Sequence, residues 1–314
     1  MAAAPAPLPL DRSFQADTGT PIEAAPGIVR ITAPNAGPYT FTGTNSFIIG
    51  GSRVLVLDPG PDDADHLAAL LRAIGGRKVE AVLLTHTHRD HSALARRLAR
   101  TVGAPIRFSH PHRLYRDADW LERLALRRSC DFSLMPDIGI ADGEEIGIDG
   151  VTLEAIATPG HCENHFAFGV LGSPHLLVGD HVMGWSSTVI APPDGAMGPY
   201  FDSLEKVIAS PYAHYLPAHG GPIADGRGFA RALLAHRQYR NAQVVEGVAA
   251  GDDRVGKLLQ RIYPGLSVKL VPAARKTIEA HLQYLAERGE VRAMGGGRYK
   301  VPPEAPPHGE RIEP

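Results

Sequence analysis

Cysteine is nearly missing from this 314-residue chain, which has only Cys130 and Cys162. Two are too few for a disulfide framework, so the fold must be held by its core, and free thiols point to a reducing compartment, the cytoplasm. Long apolar runs are lacking as well. No stretch approaches the roughly 18 apolar residues that a membrane span requires, so no membrane partner is expected. The opening MAAAPAPLPLDRSF has no basic n-region and its apolar residues are interrupted by prolines, which argues against a signal peptide. Residues 1–25 are expected to form a flexible arm. Charge of one sign is lacking overall, with 32 Lys and Arg against 34 Asp and Glu, so the whole chain exerts no strong field. Also absent are a phosphate loop, a dinucleotide fingerprint and a GxSxG nucleophile elbow, which removes three common classes of enzyme.

What is present is a series of short alternating elements. IVRIT (28–32), SFIIG (46–50) and RVLVLD (53–58) are β-rich and bounded by turn residues. DDADHLAALLRAI (62–74) begins with acidic residues suited to a helix N-terminus, repeats leucine at helical spacing and stops at Gly75 and Gly76. VEAVLL (79–84) has the character of a buried strand, and SALARRLARTVG (92–103) returns to helical period. A polar, Arg-rich connection is expected around 110–135. Strands follow at 151–158, 165–170 and 175–180, then a helix near 202–210 and AHYLPAHGG at 213–221. From residue 226 helices take over: three helical stretches and EVRAMGGGRYKV, a hairpin turning at three glycines, describe a winged helix over 226–301. Residues 302–314 are proline-rich and expected to be disordered.

Histidine is where chemistry shows. In LLTHTHRDHS (83–92), His86 and His88 are two apart, so an extended strand end sends both side chains to the same face. Asp90 and His91 follow as the chain turns into a helix. Downstream, His161 sits in a Pro-Gly turn after a strand, Asp180 ends another strand and His219 ends a third. Nitrogen and carboxylate ligands converging from several strand ends are what zinc and similar ions require, and so many of them suit a two-metal site. HRD at 88–90 is the triplet of a kinase catalytic loop, but the glycine-rich loop, strand lysine and DFG that kinase chemistry needs are absent. Cys162 is assigned to packing, and His181 should point away from Asp180 because consecutive strand residues face oppositely. His110 and His112 are assigned to a loop surface.

On these residues the chain resembles the metallo-beta-lactamase superfamily. HxHxDH matches His86, His88, Asp90 and His91, while Asp58, His161, Asp180 and His219 match the other signature positions, over roughly residues 28–225. The resemblance implies an α/β fold, an αββα sandwich over 26–225, with two zinc ions per chain, or iron or manganese in their place. It assigns one ion to His86, His88 and His161, the other to Asp90, His91 and His219, and a bridging position to Asp180. Asp58 would steady the histidine loop from behind, and His165 is expected to support the site rather than bind metal. The implied nucleophile is a metal-bridging hydroxide oriented by Asp90, with no protein nucleophile required.

The tail bears on the substrate. A winged helix behind such a domain is similar to the beta-lactamase-like protein 2 group, which includes RNA-cleaving enzymes, and STV (187–189), SLEKV (203–207) and HRQYR (236–240) agree with that group. Residues 226–301 carry 14 Lys and Arg against 6 Asp and Glu, an excess suited to a polyanion. Expected, then, is a metal-dependent hydrolase acting on RNA phosphodiesters. Its rival is a thioester or lactone hydrolase of the glyoxalase II type, although HVMGWSSTVIAPP (181–193) has no evident counterpart of that enzyme's glutathione-binding lysine and tyrosine. A non-catalytic nucleic-acid- or partner-binding protein should lack ligands, and none is missing. The basic tail could equally pack on the metal domain or form a homodimer.

Overall fold

The computed structural model describes residues 4–303, so nearly all of the expected tail lies outside the described residues. Seven strands form the first sheet in chain order: β1 (Ile22–Ala25), β2 (Ile28–Thr32), β3 (Asn45–Gly50), β4 (Arg53–Leu57), β5 (Lys78–Leu83), β6 (Ile106–Phe108) and β7 (Ile138–Gly139). A second, five-stranded sheet has the order β12 (His214–Pro217), β11 (His175–Gly179), β10 (Phe166–Val170), β9 (Val151–Ala157) and β8 (Glu145–Ile148). Period-two alternation assigns each strand's side chains to two cores. From β3 and β4, Phe47, Ile49, Leu55 and Leu57 meet Leu153, Phe168 and Leu177 between the sheets. Ile48, Val54 and Val56 turn outward instead, against α1 (Ala64–Ile74) and α3 (Ala95–Val102). The outer face of the second sheet is covered by α5 (Met197–Ala209) and the first half of α6 (Gly226–Ala249). The result is the αββα sandwich.

The structure adds detail to four expectations. The arm is not free over residues 4–25: β1 pairs with β2, and the Asp11 amide donates to the Gly184 carbonyl at 2.9 Å. The helix expected over 92–103 is α3, which begins at Ala95 after a separate short helix, α2 (Arg89–Ser92). The connection at 110–135 contains α4 (Trp120–Ser129), started by a reciprocal capping box between Asp119 and Glu122. At residue 226, the expected start of the winged helix, α6 begins and serves both cores. Phe229, Ala230 and Leu233 of α6 belong to the sandwich core, whereas Val244 and Val248 of the same helix belong to the C-terminal core.

That C-terminal core is completed by α7 (Val255–Ile262), α8 (Val271–Glu287) and the hairpin β13 (Arg292–Ala293) to β14 (Tyr299–Lys300). The hairpin turns at Gly295, Gly296 and Gly297, all at positive φ, as three consecutive left-handed residues require. No helix among the described residues is long and apolar enough to cross a membrane.

Candidate metal centre

Strand direction collects the chemistry at one edge. β4 and β5 run parallel, β11 and β12 run parallel, and β9 shares their direction because β10 is antiparallel to both β9 and β11. Asp58, the 86–91 loop, His161, Asp180 and His219 therefore all follow carboxyl ends of strands. The two sheets are stitched together there, the Phe166 amide donating to the Thr85 carbonyl at 2.8 Å and the Asn45 amide to the Ala218 carbonyl at 2.7 Å.

Three imidazole nitrogens converge at this edge. His86 Nε2 and His161 Nε2 each lie 3.0 Å from His88 Nδ1. Their rear nitrogens are already engaged: His86 Nδ1 with Thr85 Oγ1 at 2.9 Å, His161 Nδ1 with the Val189 carbonyl at 2.9 Å, and His88 Nε2 with Asp194 Oδ2 at 2.7 Å. Beside them a second group faces inward. His219 Nε2 is 3.3 Å from both Asp90 Oδ2 and Asp180 Oδ1, and His91 Nε2 is 3.6 and 3.5 Å from the same two atoms. The other oxygen of Asp180 lies 3.5 Å from His161 Nε2, so this one carboxylate faces both groups. The structure thus brings together all seven side chains singled out as ligands.

These residues fit divalent metal. His91 Nε2, His219 Nε2 and Asp180 Oδ1 are buried without any hydrogen-bond partner. Leaving such atoms unsatisfied costs about 1–3 kcal/mol each, and a cation at their common focus would satisfy all three. Electrostatics points the same way. Burial, reinforced by His91 and His88, holds the His86 pKa well below its usual value, and burial with His88 lowers that of His161. Burial also opposes protonation of His91 and His219, yet neighbouring carboxylates overcome it: His91 is raised well above its usual value by Asp90, Asp180 and Asp58, and His219 to about 9 chiefly by Asp180. The carboxylates therefore demand positive charge at their side of the site.

Supporting residues hold the rear. Asp58 Oδ1 accepts from the Thr85 amide at 2.8 Å, while Oδ2 accepts from Thr85 Oγ1 at 2.7 Å and faces His91 Nδ1 at 3.0 Å. Its backbone sits at φ 48°, unusual for a residue with a Cβ and typical of strain retained at a working site. His165 bonds Thr158 Oγ1 through Nδ1 at 2.8 Å and accepts the Asp180 amide through Nε2 at 3.1 Å, which fixes the start of the loop that carries this carboxylate. Gly179 is required there: at φ 51°, a Cβ would stand 2.6 Å from His165 Nε2.

Cys162 is buried against Asn164, and His181 packs edge-on to Tyr200 with ring centroids 5.1 Å apart, away from the ligand cluster. His110 is half-buried and faces Glu163 at 3.3 Å. His112 corrects its surface assignment, because it is buried and bonded to Asp194 at 2.9 Å. Asp194 was not singled out from the sequence at all. It lies in a loop beyond Pro192 and Pro193, and no spacing relates it to the histidines. A cavity of about 480 Å³ opens onto His88, Asp90, His161 and Asp180, walled by Tyr39, Leu126, Met183, Val189, Pro192 and Pro193.

Known proteins agree with this architecture. Residues 39–219 match the metallo-beta-lactamase superfamily, and residues 255–298 match the beta-lactamase associated winged helix domain. The chain belongs to the metallo-beta-lactamase superfamily, as a hydrolase with a C-terminal winged helix. It is 27% identical to a beta-lactamase-like protein 2 homolog of Caenorhabditis elegans over 231 residues, 72% of either chain. It is 30% identical to the atrochrysone carboxyl ACP thioesterase AgnL7 of Paecilomyces divaricatus over 226 residues, 70% of this chain and 64% of that one. Among solved structures it resembles the metallo-beta-lactamase family protein TTHA1429 of Thermus thermophilus, with a TM-score of 0.72 and 25% identity, covering 88% of this chain and 99% of the other.

Proposed function

We propose that this hydrolase uses two zinc ions, one on His86, His88 and His161, the other on Asp90, His91 and His219, with Asp180 shared, to cleave a thioester or a similarly activated ester. When bound, such ions lower the pKa of water to about 7 and polarise a carbonyl oxygen. Asp90 lines the cavity with about a third of its side chain exposed, and its carboxylate can accept a hydrogen bond from an attacking water and orient it. Asp58, Thr85 and His165 keep the surrounding side chains in place, which avoids reorganisation during the reaction. No side chain of the chain itself is required as nucleophile.

The observation that carries the substrate class is the cavity, where Leu126, Met183, Val189, Pro192 and Pro193 suit an acyl group, while Arg89, Arg128 and Lys276, which also line it, suit an anionic end of the same substrate. The thioesterase relative supports the same chemistry. RNA remains a second reading because a groove in the winged helix gathers Arg254, Lys257 and Arg275. Against it, much of the basic excess is internally engaged: Arg237 is buried against the Thr188 carbonyl, while Lys257, Arg298, Arg261 and Arg288 pair with carboxylates. Moreover, α8 is held against α5 and α6, with Tyr284 against Phe201 at 5.1 Å, and the face it turns to the groove places Glu279 beside Arg275.

The test offers zinc-loaded protein an acyl thioester of N-acetylcysteamine, an aryl lactone and single-stranded RNA, with His86→Ala as control. Thioester turnover, falling on the order of 10³-fold in the control, is expected. RNA cleavage without thioester turnover would replace the substrate reading, and a wild-type protein holding less than about one ion per chain would sink the metal reading.

A further inference from the structure

We propose that Asp194 is a positioning residue that sets the direction and tautomer of His88, and that His112 holds Asp194 in turn. The inference rests on the metal reading of the site. The Asp194 side chain is 8% exposed and engages an imidazole with each oxygen: His88 Nε2 lies 2.7 Å from Oδ2, and His112 Nε2 lies 2.9 Å from Oδ1. His112 is anchored from behind, its Nδ1 2.8 Å from Thr87 Oγ1, which also accepts from Asn164 Nδ2 at 2.8 Å. Three loops distant in sequence are thereby tied to the single residue His88.

A carboxylate can only accept, so the neutral His88 ring must carry its proton on Nε2. Its lone pair then lies on Nδ1, the atom that faces His86 and His161. The other two members of this group rest on different supports. The Thr85 hydroxyl behind His86 gives its one proton to Asp58 and so accepts from His86 Nδ1, and His161 leans on a main-chain carbonyl, so both are held by neutral acceptors. Of these three, only His88 has a carboxylate directly behind it, as His91 has Asp58 in the other group, and such a partner makes an imidazole a better ligand. Asp194 also lines the cavity next to Pro192 and Pro193, so the loop that shapes the substrate wall is the one that orients a ligand.

The near-isosteric Asp194→Asn offers one acceptor oxygen and a donating amide where the wild type has two acceptors. The readouts are metal stoichiometry after dialysis, stepwise zinc affinity by chelator competition, and the thermal midpoint of the metal-free protein. One of the two ions should bind about 10- to 100-fold more weakly, while the other stays near wild type and the metal-free midpoint barely moves. His112→Gln should weaken the same ion by a smaller factor. If Asp194→Asn does not fold, His112→Gln decides alone: selective weakening of one ion supports the role, and wild-type affinity for both overturns it. Equal loss of both ions from a folded Asn variant overturns it too. A wild-type protein that binds no metal fails the functional reading itself, whereas a loaded wild type with an equally loaded Asn variant fails only this inference.

Discussion

The two halves of the metal cradle stand a few ångström apart yet are built on different electrostatics. His86, His88 and His161 turn three nitrogens inward; burial favours neutral rings at His86 and His161, while at His88 burial is outweighed by the Asp194 carboxylate behind the ring, which raises the pKa. Asp90, His91 and His219, with Asp180 between them, hold two carboxylates that stay ionised well below the usual range: burial opposes this, but His91 and His219 outweigh it. The first half is ready for a cation by geometry. The second half requires one by charge, and in its absence takes up protons. Asp180 belongs to both, so replacing it probes the comparison most severely. Asp180→Asn should lose both ions and lower turnover on the order of 10³-fold, because the shared negative charge disappears and the buried His91 and His219 nitrogens lose their common partner. Metal analysis with steady-state kinetics checks this; retention of one tightly bound ion would mean that the halves are independent.

The pH dependence of loading separates them next. In the metal-free protein His219 keeps its proton up to about pH 9, so an ion entering that half must displace it. Affinity should rise about tenfold per pH unit for each proton displaced between pH 6.5 and 9. The rise should be steeper in the carboxylate-rich half, where His91 and His219 both hold protons, than in the other, where His86 and His161 are neutral and only His88, its burial outweighed by Asp194, holds one. Stability follows the same sign. A His pKa raised above its unfolded value stabilises fully below pH 6.5, and that contribution is lost as pH rises through about 9, so the metal-free protein should melt at lower temperature across this range. Calorimetric titrations at several pH values provide the check, and two binding steps with equal pH slopes would erase the distinction.

Legibility in the sequence also differs between parts of the site. Every inward-facing ligand follows a strand end, and strands such as IVRIT and RVLVL announce themselves by composition, so the cradle could be assembled from order along the chain. Its supports could not. Asp194 and His112 lie in loops without periodicity, and what joins them to His88 is the closing of three loops over one point. The helix α4 was hidden for a related reason: it buries none of its residues, so no apolar stripe marks it, and only the Asp119–Glu122 capping pair could have revealed it. The winged helix was legible as helices and a glycine turn, but not its attachment. A continuous α6 serving two cores cannot be told from a helix confined to one.

Thr85 is the smallest lever on the comparison, and it joins the halves from behind. Its hydroxyl donates to Asp58, the carboxylate that supports His91, and faces the rear nitrogen of His86. In Thr85→Val both hydroxyl contacts are lost while the amide bond to Asp58 remains, which should cost about 1–2 kcal/mol distributed over the two ions, or roughly 5- to 30-fold in summed affinity. Asp58→Asn should act mainly on the ion next to His91, by about tenfold or more. Because the two substitutions remove a shared bond, the double variant should fall short of their sum by about 0.5 kcal/mol or more. Additive losses would show that Asp58 reaches only its own half. A shortfall confined to the affinity of the His86 ion would reverse the assignment and make Thr85 a support for the first half alone.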